Sequence, residues 1–177
     1  MEKTTASLIR RIPLTETSLI IHWCSESQGL IKTVAKGARR PKNRFAGKLD
    51  LFFLCEIEIV RSRKSDLHIL KEAAVLQTRV GIRSSYLQTL AAAYFIKLIE
   101  RVAESATPIP ELSNLLERAL DYLDQNRPNK HAILHFEKEL TRCLGIEHPS
   151  RSPASSLSST YNGLPQQREE LINMAID

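Results

Sequence analysis

A cluster of basic side chains between residues 32 and 48 carries the clearest chemistry in this sequence. The stretch KTVAKGARRPKNRFAGK contains seven Lys and Arg residues and no Asp or Glu. Phosphates are the commonest partner for such a charge run, because their neutralisation releases condensed counterions. The segment therefore predicts a nucleic-acid site, although a charge run can also be an ordinary solvated surface. The predicted phosphate contacts are Lys32, Lys36, Arg39, Arg40, Lys42, Arg44 and Lys48.

Aromatic rings are the second component expected of a single-strand site, because bases stack on them. Only 6% of the residues are aromatic, and Trp23, Phe45 and Phe52 are the candidates. Phe45 is favoured because it lies inside the basic stretch, whereas Trp23 and Phe52 also suit a hydrophobic core. With so few rings, we expect binding dominated by phosphates, with little sequence preference and a strong salt dependence.

Motifs for catalysis or metal binding do not accompany the basic cluster. The sequence contains no GxSxG, Walker A or Rossmann glycine pattern. His131 and His135 have the spacing of two metal ligands on a predicted helix, but they lack the glutamate of an HExxH motif and a third ligand nearby. The sequence therefore predicts a protein that is not an enzyme and that has no cofactor and no metal site.

The elements that position the basic cluster are short strands. The clearest alternation places Cys55, Ile57 and Ile59 on one face and Glu56 and Glu58 on the other, as in a half-buried strand. Five strands with a long basic loop before the fourth indicate a five-stranded OB-fold barrel, a fold that binds oligonucleotides. The predicted strands span residues 5–12, 18–23, 29–35, 49–60 and 67–75.

Helical periodicity begins near Ser84, where Ser84 or Ser85 can cap the first helix. Prolines at 108 and 110 separate it from a second helix, and Gly145 suits the end of a third. The Ser- and Pro-rich residues that follow indicate a flexible tail. The predicted organisation is α+β, with an OB-fold domain at 1–78, an α-helical domain at 82–146 and a tail at 147–177.

The distribution of charge agrees with a basic module joined to a neutral one. Residues 1–77 carry 14 Lys and Arg against 8 Asp and Glu, a net of +6, whereas residues 78–177 carry 11 against 12, a net of −1. The three cysteines form no CxxC pair, and no apolar leader or 18-residue apolar stretch occurs. These features predict a reduced, cytoplasmic protein.

Several of these stretches together resemble the RecO family of DNA repair proteins. The resemblance rests on Glu16-Thr17, the Gly29 turn, the run VAKGARRP at 34–41, the strand LHILKEA at 67–73 and the helix end at 136–145. It covers roughly residues 5–146. Many family members continue into a four-cysteine zinc site, whose cysteines are missing from this sequence.

The resemblance implies an N-terminal OB-fold followed by helices, and a non-enzymatic role as a recombination mediator. Such proteins bind single- and double-stranded DNA, anneal complementary strands, partner RecR, contact the single-strand-binding protein and help to load RecA. Two other functions suit the same residues. The barrel could be a protein-interaction adaptor that binds an acidic protein tail, or an RNA-binding protein, because single-strand grooves accept either polymer.

Overall fold

The computed structural model describes residues 1–176, which form two compact units. The first contains Met1–Arg79 together with Glu104–Ser113, and the second contains Val80–Ala103 together with the residues from Asn114 onward. The sequence predicts contiguous domains at 1–78 and 82–146. The structure differs in that residues 104–113 return to the first unit.

The first unit is a closed barrel of five strands, which are β1 Glu2–Pro13, β2 Leu19–Ser25, β3 Gly29–Ala35, β4 Leu54–Val60 and β5 Leu67–Gln77. The strands neighbour one another in the order β1-β2-β3-β5-β4. All neighbouring pairs are antiparallel except β3 and β5, which run parallel over residues 32–34 of β3. This architecture, followed by helices, confirms the predicted α+β fold with an N-terminal OB-type barrel.

The fourth strand is shorter than predicted. It begins at Leu54, because residues 49–53 lie outside the strand and turn at Leu51 and Phe52, where Phe52 has a φ of 72°. The apolar side chains of this stretch are buried all the same, so composition alone does not distinguish them from a strand. Within β4 the predicted alternation is correct, because Cys55, Ile57 and Ile59 are fully buried inside the barrel.

Two polar side chains are paired inside the barrel unit. The indole Nε1 of Trp23 donates to Thr33 Oγ1 at 2.9 Å. The guanidinium of Arg79, only 2% exposed, donates to Ser7 Oγ at 2.8 Å and to the Phe52 carbonyl oxygen at 3.2 Å. Since buried polar groups are tolerated only when hydrogen-bonded, these pairs fix the strands around the core.

The returning segment 104–113 packs on the start of β3. The amide of Ala106 donates to the Leu30 carbonyl oxygen at 3.0 Å, and the amide of Ile109 donates to the Glu26 carbonyl oxygen at 3.3 Å. Gly29 has a φ of 72°, and a Cβ there would lie 2.0 Å from the Thr107 carbonyl oxygen. The close approach of the segment therefore requires glycine at position 29.

Helices account for most of the second unit. Ser85, one of the two caps predicted for the first helix, accepts from the Gln88 amide at 3.2 Å, and Gly145 ends the third helix in the left-handed conformation, as predicted. The helices are α1 Tyr86–Val102, α2 Pro110–Gln125, α3 Lys130–Leu144, α4 Pro153–Thr160 and α5 Gln167–Met174, and the first turn of α2, as far as Ser113, belongs to the first unit.

The segment after Gly145 differs from the predicted flexible tail, because it contains α4 and α5. Ser152 caps α4 through the Ser155 amide, and Leu157 and Leu171 are 1% and 0% exposed. Two buried apolar side chains and a cap thus help to order a stretch whose composition is typical of a linker. Asp177, the last residue of the predicted tail, lies outside the described residues.

A buried carboxylate ties α5 to the other helices. Glu137 on α3 is 1% exposed and accepts from the Tyr94 hydroxyl at 2.6 Å. Arg168 on α5 donates to both Glu137 oxygens, at 2.6 and 3.1 Å. Burial and the adjacent Glu137 carboxylate raise the pKa of Tyr94, so the hydroxyl stays protonated and keeps donating.

Replacing this carboxylate should destabilise the helical unit strongly. Glu137→Gln leaves Arg168 without its anionic partner, and breaking such buried pairs costs about 3 kcal/mol of unfolding free energy. Urea unfolding of the full chain measures the change. The matched control is Glu139→Gln on the same helix, whose partner Arg142 is largely exposed, so that the pair contributes less than about 0.5 kcal/mol. Equal losses in the two variants would contradict this account of α5.

Candidate nucleic-acid interface

The basic stretch after β3 is an ordered loop, here called the basic loop and defined as residues 36–48. Asn43 organises it by donating from Nδ2 to the carbonyl oxygens of Ala38 and Arg40, at 3.2 and 2.7 Å. Asn43 Oδ1 accepts from the Phe45 amide at 2.8 Å. The side-chain amide thus satisfies the backbone of a loop that lacks strand or helix hydrogen bonds.

The basic loop is also bonded to the β1–β2 turn, residues 14–18. The Arg39 amide donates to the Thr17 carbonyl oxygen at 3.0 Å, and the Arg39 guanidinium donates to the Thr15 carbonyl oxygen at 2.7 Å. The Gly37 amide reaches Ser18 Oγ at 3.4 Å. Arg39 therefore helps to hold the loop in place, in addition to carrying exposed positive charge.

Phe45 does not form the stacking platform that the sequence predicts. Its ring is 3% exposed and belongs to the barrel core. The guanidinium carbon of Arg44 lies 5.0 Å from the ring centroid, so the outer side of the ring is also covered. Phe45 anchors the loop to the barrel, and the other aromatic candidates, Trp23 and Phe52, are buried as well.

The remaining predicted site residues lie at the surface, except Lys48. Arg44 makes a loose ion pair with Glu72, at 3.9 Å. Among the described residues, Lys36, Arg40 and Lys42 have no carboxylate partner within ion-pair distance. The basic loop therefore presents concentrated positive charge on a fixed backbone. The exposed members of the predicted set are Lys32, Lys36, Arg39, Arg40, Lys42 and Arg44, and Lys48 is half-buried.

A second line of basic groups crosses the outer face of the barrel. Arg10 on β1 is the cross-strand partner of His22 on β2, and His22 is the partner of Lys32 on β3. This line is called the basic row. Burial, together with the neighbouring charges of Lys32 and Arg10, lowers the pKa of His22. The structure thus joins Lys32 to two residues that sequence reasoning missed, since only strand register brings them together.

The β4–β5 turn, residues 61–66, adds further basic side chains that the sequence interpretation treated as a polar turn. Arg61 is held by Glu2, whose carboxylate accepts from Nε at 2.9 Å, and by Gln28. Arg63 and Lys64 are exposed beside a cleft of about 430 Å³ that Lys32 also lines. Three of the six residues in this turn are basic, and this composition could have identified it as part of the basic surface.

His68 fastens the β4–β5 turn through a neutral imidazole. It is 6% exposed, and its Nδ1 accepts from the Ser62 amide at 3.2 Å. Burial lowers the pKa of His68, and the charge of Arg61 lowers it further. Protonation of Nδ1 would abolish the acceptor, so the turn depends on the neutral ring.

Metal ligands are not grouped in the part of the chain that the structure describes: residues 1–176 contain no cluster of three or more His, Cys, Asp or Glu side chains suited to a metal ion. The rings of His131 and His135 face each other at 6.3 Å on α3. Across the same residues, none of the helices combines the length and the hydrophobicity required to cross a bilayer.

An apolar groove of about 400 Å³ lies on the helical unit, between α1, α2 and α3. Phe95 and Phe136, stacked with ring centroids 4.0 Å apart, line it. Arg118 and the two α3 histidines also line it, so the groove combines apolar walls with basic groups.

The closed barrel with its basic loop, followed by the helical unit, defines an α+β protein built on an OB-fold. Comparison with known families shows which family the chain belongs to. The family model described as "Recombination protein O N terminal" matches residues 1–79, and the model described as "Recombination protein O C terminal" matches residues 83–154. The chain belongs to the RecO family of DNA repair and recombination proteins, a family of recombination mediators rather than a class of enzymes.

Individual relatives agree with this assignment. The chain is similar to the DNA repair protein RecO of Rhodopirellula baltica, with 30% identity over 79% of this chain and 52% of the relative. It is 28% identical to RecO of Anaeromyxobacter sp. strain K, over 81% of this chain and 57% of the relative. RecO of Prosthecochloris aestuarii is 24% identical over 90% and 65%. The chain thus spans between about half and two thirds of the length of these relatives.

Acidification should destabilise the barrel through His68. Its pKa in the folded state lies below the ordinary value of 6.5, so the unfolded chain binds more protons as the pH falls. The stability contributed by the neutral ring is therefore complete above about pH 6.5 and is lost progressively below it. We expect His68→Asn, whose Oδ1 can still accept a hydrogen bond, to lose less unfolding free energy than the wild type between pH 7.5 and 5.5. Equal losses in chemical denaturation would contradict this assignment.

Proposed function

We propose that this chain is a DNA-binding recombination mediator that binds single- and double-stranded DNA and promotes strand annealing. The observation that carries the proposal is the basic loop, because all of its lysines and arginines except Lys48 are exposed on an ordered backbone. A fixed cationic surface gains more from phosphate contact than a mobile one, since less chain entropy is lost on binding. Family membership supports the same role.

Annealing by this surface needs no covalent chemistry. Two complementary strands repel each other through their phosphates, and a cationic surface lowers that repulsion while releasing counterions. The predicted contacts are to the backbone, which leaves the base edges available for pairing. The DNA contacts we propose are Lys32, Lys36, Arg39, Arg40, Lys42, Arg44 and Lys48, and Phe45 contributes by anchoring the loop.

We also propose protein partners for the helical and barrel units: RecR, the single-strand-binding protein and, indirectly, RecA. Family membership supports all three. The basic groups around the apolar groove of the helical unit support an acidic peptide as its occupant, as expected for the C-terminal tail of single-strand-binding protein. Co-elution of the purified full chain with RecR and with the single-strand-binding protein tests the two direct partners, and failure to co-elute would contradict them.

Neutralising the basic loop should weaken DNA binding by reducing its electrostatic part. Lys36→Gln/Lys42→Gln should lower the slope of log affinity against log salt concentration by about 1.4 if each lysine neutralises one phosphate of a single strand. Fluorescence anisotropy of a labelled oligonucleotide, titrated at several salt concentrations, measures this slope. These lysines are preferred to Arg39, whose guanidinium also supports the loop.

The matched control is Lys130→Gln/Lys138→Gln, which removes the same charge from exposed positions on α3. The control should keep the wild-type salt slope. Equal slopes for wild type and Lys36→Gln/Lys42→Gln would contradict the basic loop as the DNA site. Salt-independent binding, or none, would contradict the proposed function. Competition with an RNA of the same sequence separates DNA binding from an RNA-binding role.

A further inference from the structure

An aliphatic row crosses the outer face of the barrel beside the basic row. Ile12 on β1 is the cross-strand partner of Ile20 on β2, Ile20 is the partner of Val34 on β3, and Val34 is the partner of Ile69 on β5. Ile12 is 37% exposed, and the other three are half-buried. Since strands lie about 4.8 Å apart, the row is roughly 14 Å long.

Positive charge lies on both sides of this aliphatic row. The basic row of Arg10, His22 and Lys32 runs parallel to it, two residues away along each strand and so about 7 Å distant. On the other side, Lys36 begins the basic loop two residues beyond Val34. An occupant of the face must therefore combine an apolar surface with negative charge at its margins.

The aromatic rings of the barrel unit are buried, so the aliphatic row is the apolar surface that this face can offer to bases. All four rings, Trp23, Phe45, Phe52 and Phe53, are at most 8% exposed. A strand that binds the flanking cations places its bases over the face between them. Aliphatic side chains bury base surface without reading sequence, because the contact depends only on apolar area.

We propose, on the basis of the DNA-binding function above, that the bases of a bound single strand lie on the row Ile12, Ile20, Val34 and Ile69. The strand's phosphates contact the basic row and the basic loop. A single nucleic-acid strand fits both features, with anionic backbone and apolar base faces. A purely apolar protein surface would instead leave the charges of Lys32 and Lys36 without counter-charge, and this disfavours such a partner.

The test separates contacts to bases from contacts to phosphates. Anisotropy titrations of the full chain compare a thymine oligonucleotide with an oligonucleotide of equal length and charge whose central nucleotides are abasic. We expect the wild type to bind the abasic strand about three- to tenfold more weakly at every salt concentration, because apolar contact does not depend on salt. Equal affinity for the two strands would overturn the inference, and this arm requires no variant.

The variant Ile12→Thr/Val34→Thr keeps β-branched residues in both strands and so preserves strand propensity. It should bind the thymine strand about three- to tenfold more weakly than the wild type, with an unchanged salt slope, and should no longer distinguish the abasic strand. The control, Leu76→Thr, changes an aliphatic residue that is 59% exposed on β5, beyond the part of β5 that pairs with β3. It should behave like the wild type.

The outcomes also separate this inference from the proposed function. A wild type with a steep salt slope, together with a double variant of wild-type affinity, overturns the base-contact row and leaves the DNA-binding proposal standing. A wild type without salt-dependent binding overturns the function itself. If the double variant keeps DNA affinity but abolishes self-association in sedimentation velocity, the face is an interface between copies of the chain and the inference is wrong.

Discussion

The burial of Phe45 in the barrel core is the contact on which the proposed interface depends. Electrostatic repulsion among its positive side chains disfavours an ordered conformation of this loop by itself. The ring removes apolar area from water inside the closed barrel, and Asn43 satisfies the backbone around it. The repelling side chains are therefore held outward, on a backbone whose position is set by the core.

Closure of the barrel also fixes which side chains lie on its outer face. Each strand residue points inward or outward, and a closed sheet leaves no edge at which the register can slip. The inward positions hold the hydrophobic core, so the outward positions are free to carry the basic row and the aliphatic row side by side. Burial lowers the pKa of His22 most, and the neighbouring charges of Lys32 and Arg10 on this face lower it further.

Features decided by local chemistry could be predicted from the sequence. The alternation around Ile57 and the Gly145 helix end were predicted correctly, and Ser85 is one of the two caps predicted for α1, because each feature depends on a period or a cap within a few residues. The basic row could not be predicted, because Arg10, His22 and Lys32 meet only through strand register, which shifts between Leu8 and Arg10.

Burial was the other property that the sequence left undecided. An aromatic residue in a basic loop suits either a stacking platform or an anchor, and only the space inside the barrel decides that Phe45 is an anchor. Burial also decides whether the segment after Gly145 is ordered. Its Ser-rich composition is typical of a linker, yet Leu157, Leu171 and the pairing of Arg168 with Glu137 order it.

Hydrogen–deuterium exchange of the full chain, with and without a single-stranded oligonucleotide, tests the central claim most directly. If DNA occupies the basic loop and the outer face of the barrel, amide exchange should slow in residues 36–48, β2 and β3. Exchange in α1, α2 and α3 should be unchanged by the oligonucleotide. Slower exchange confined to the helices, with the basic loop unaffected, would contradict the account.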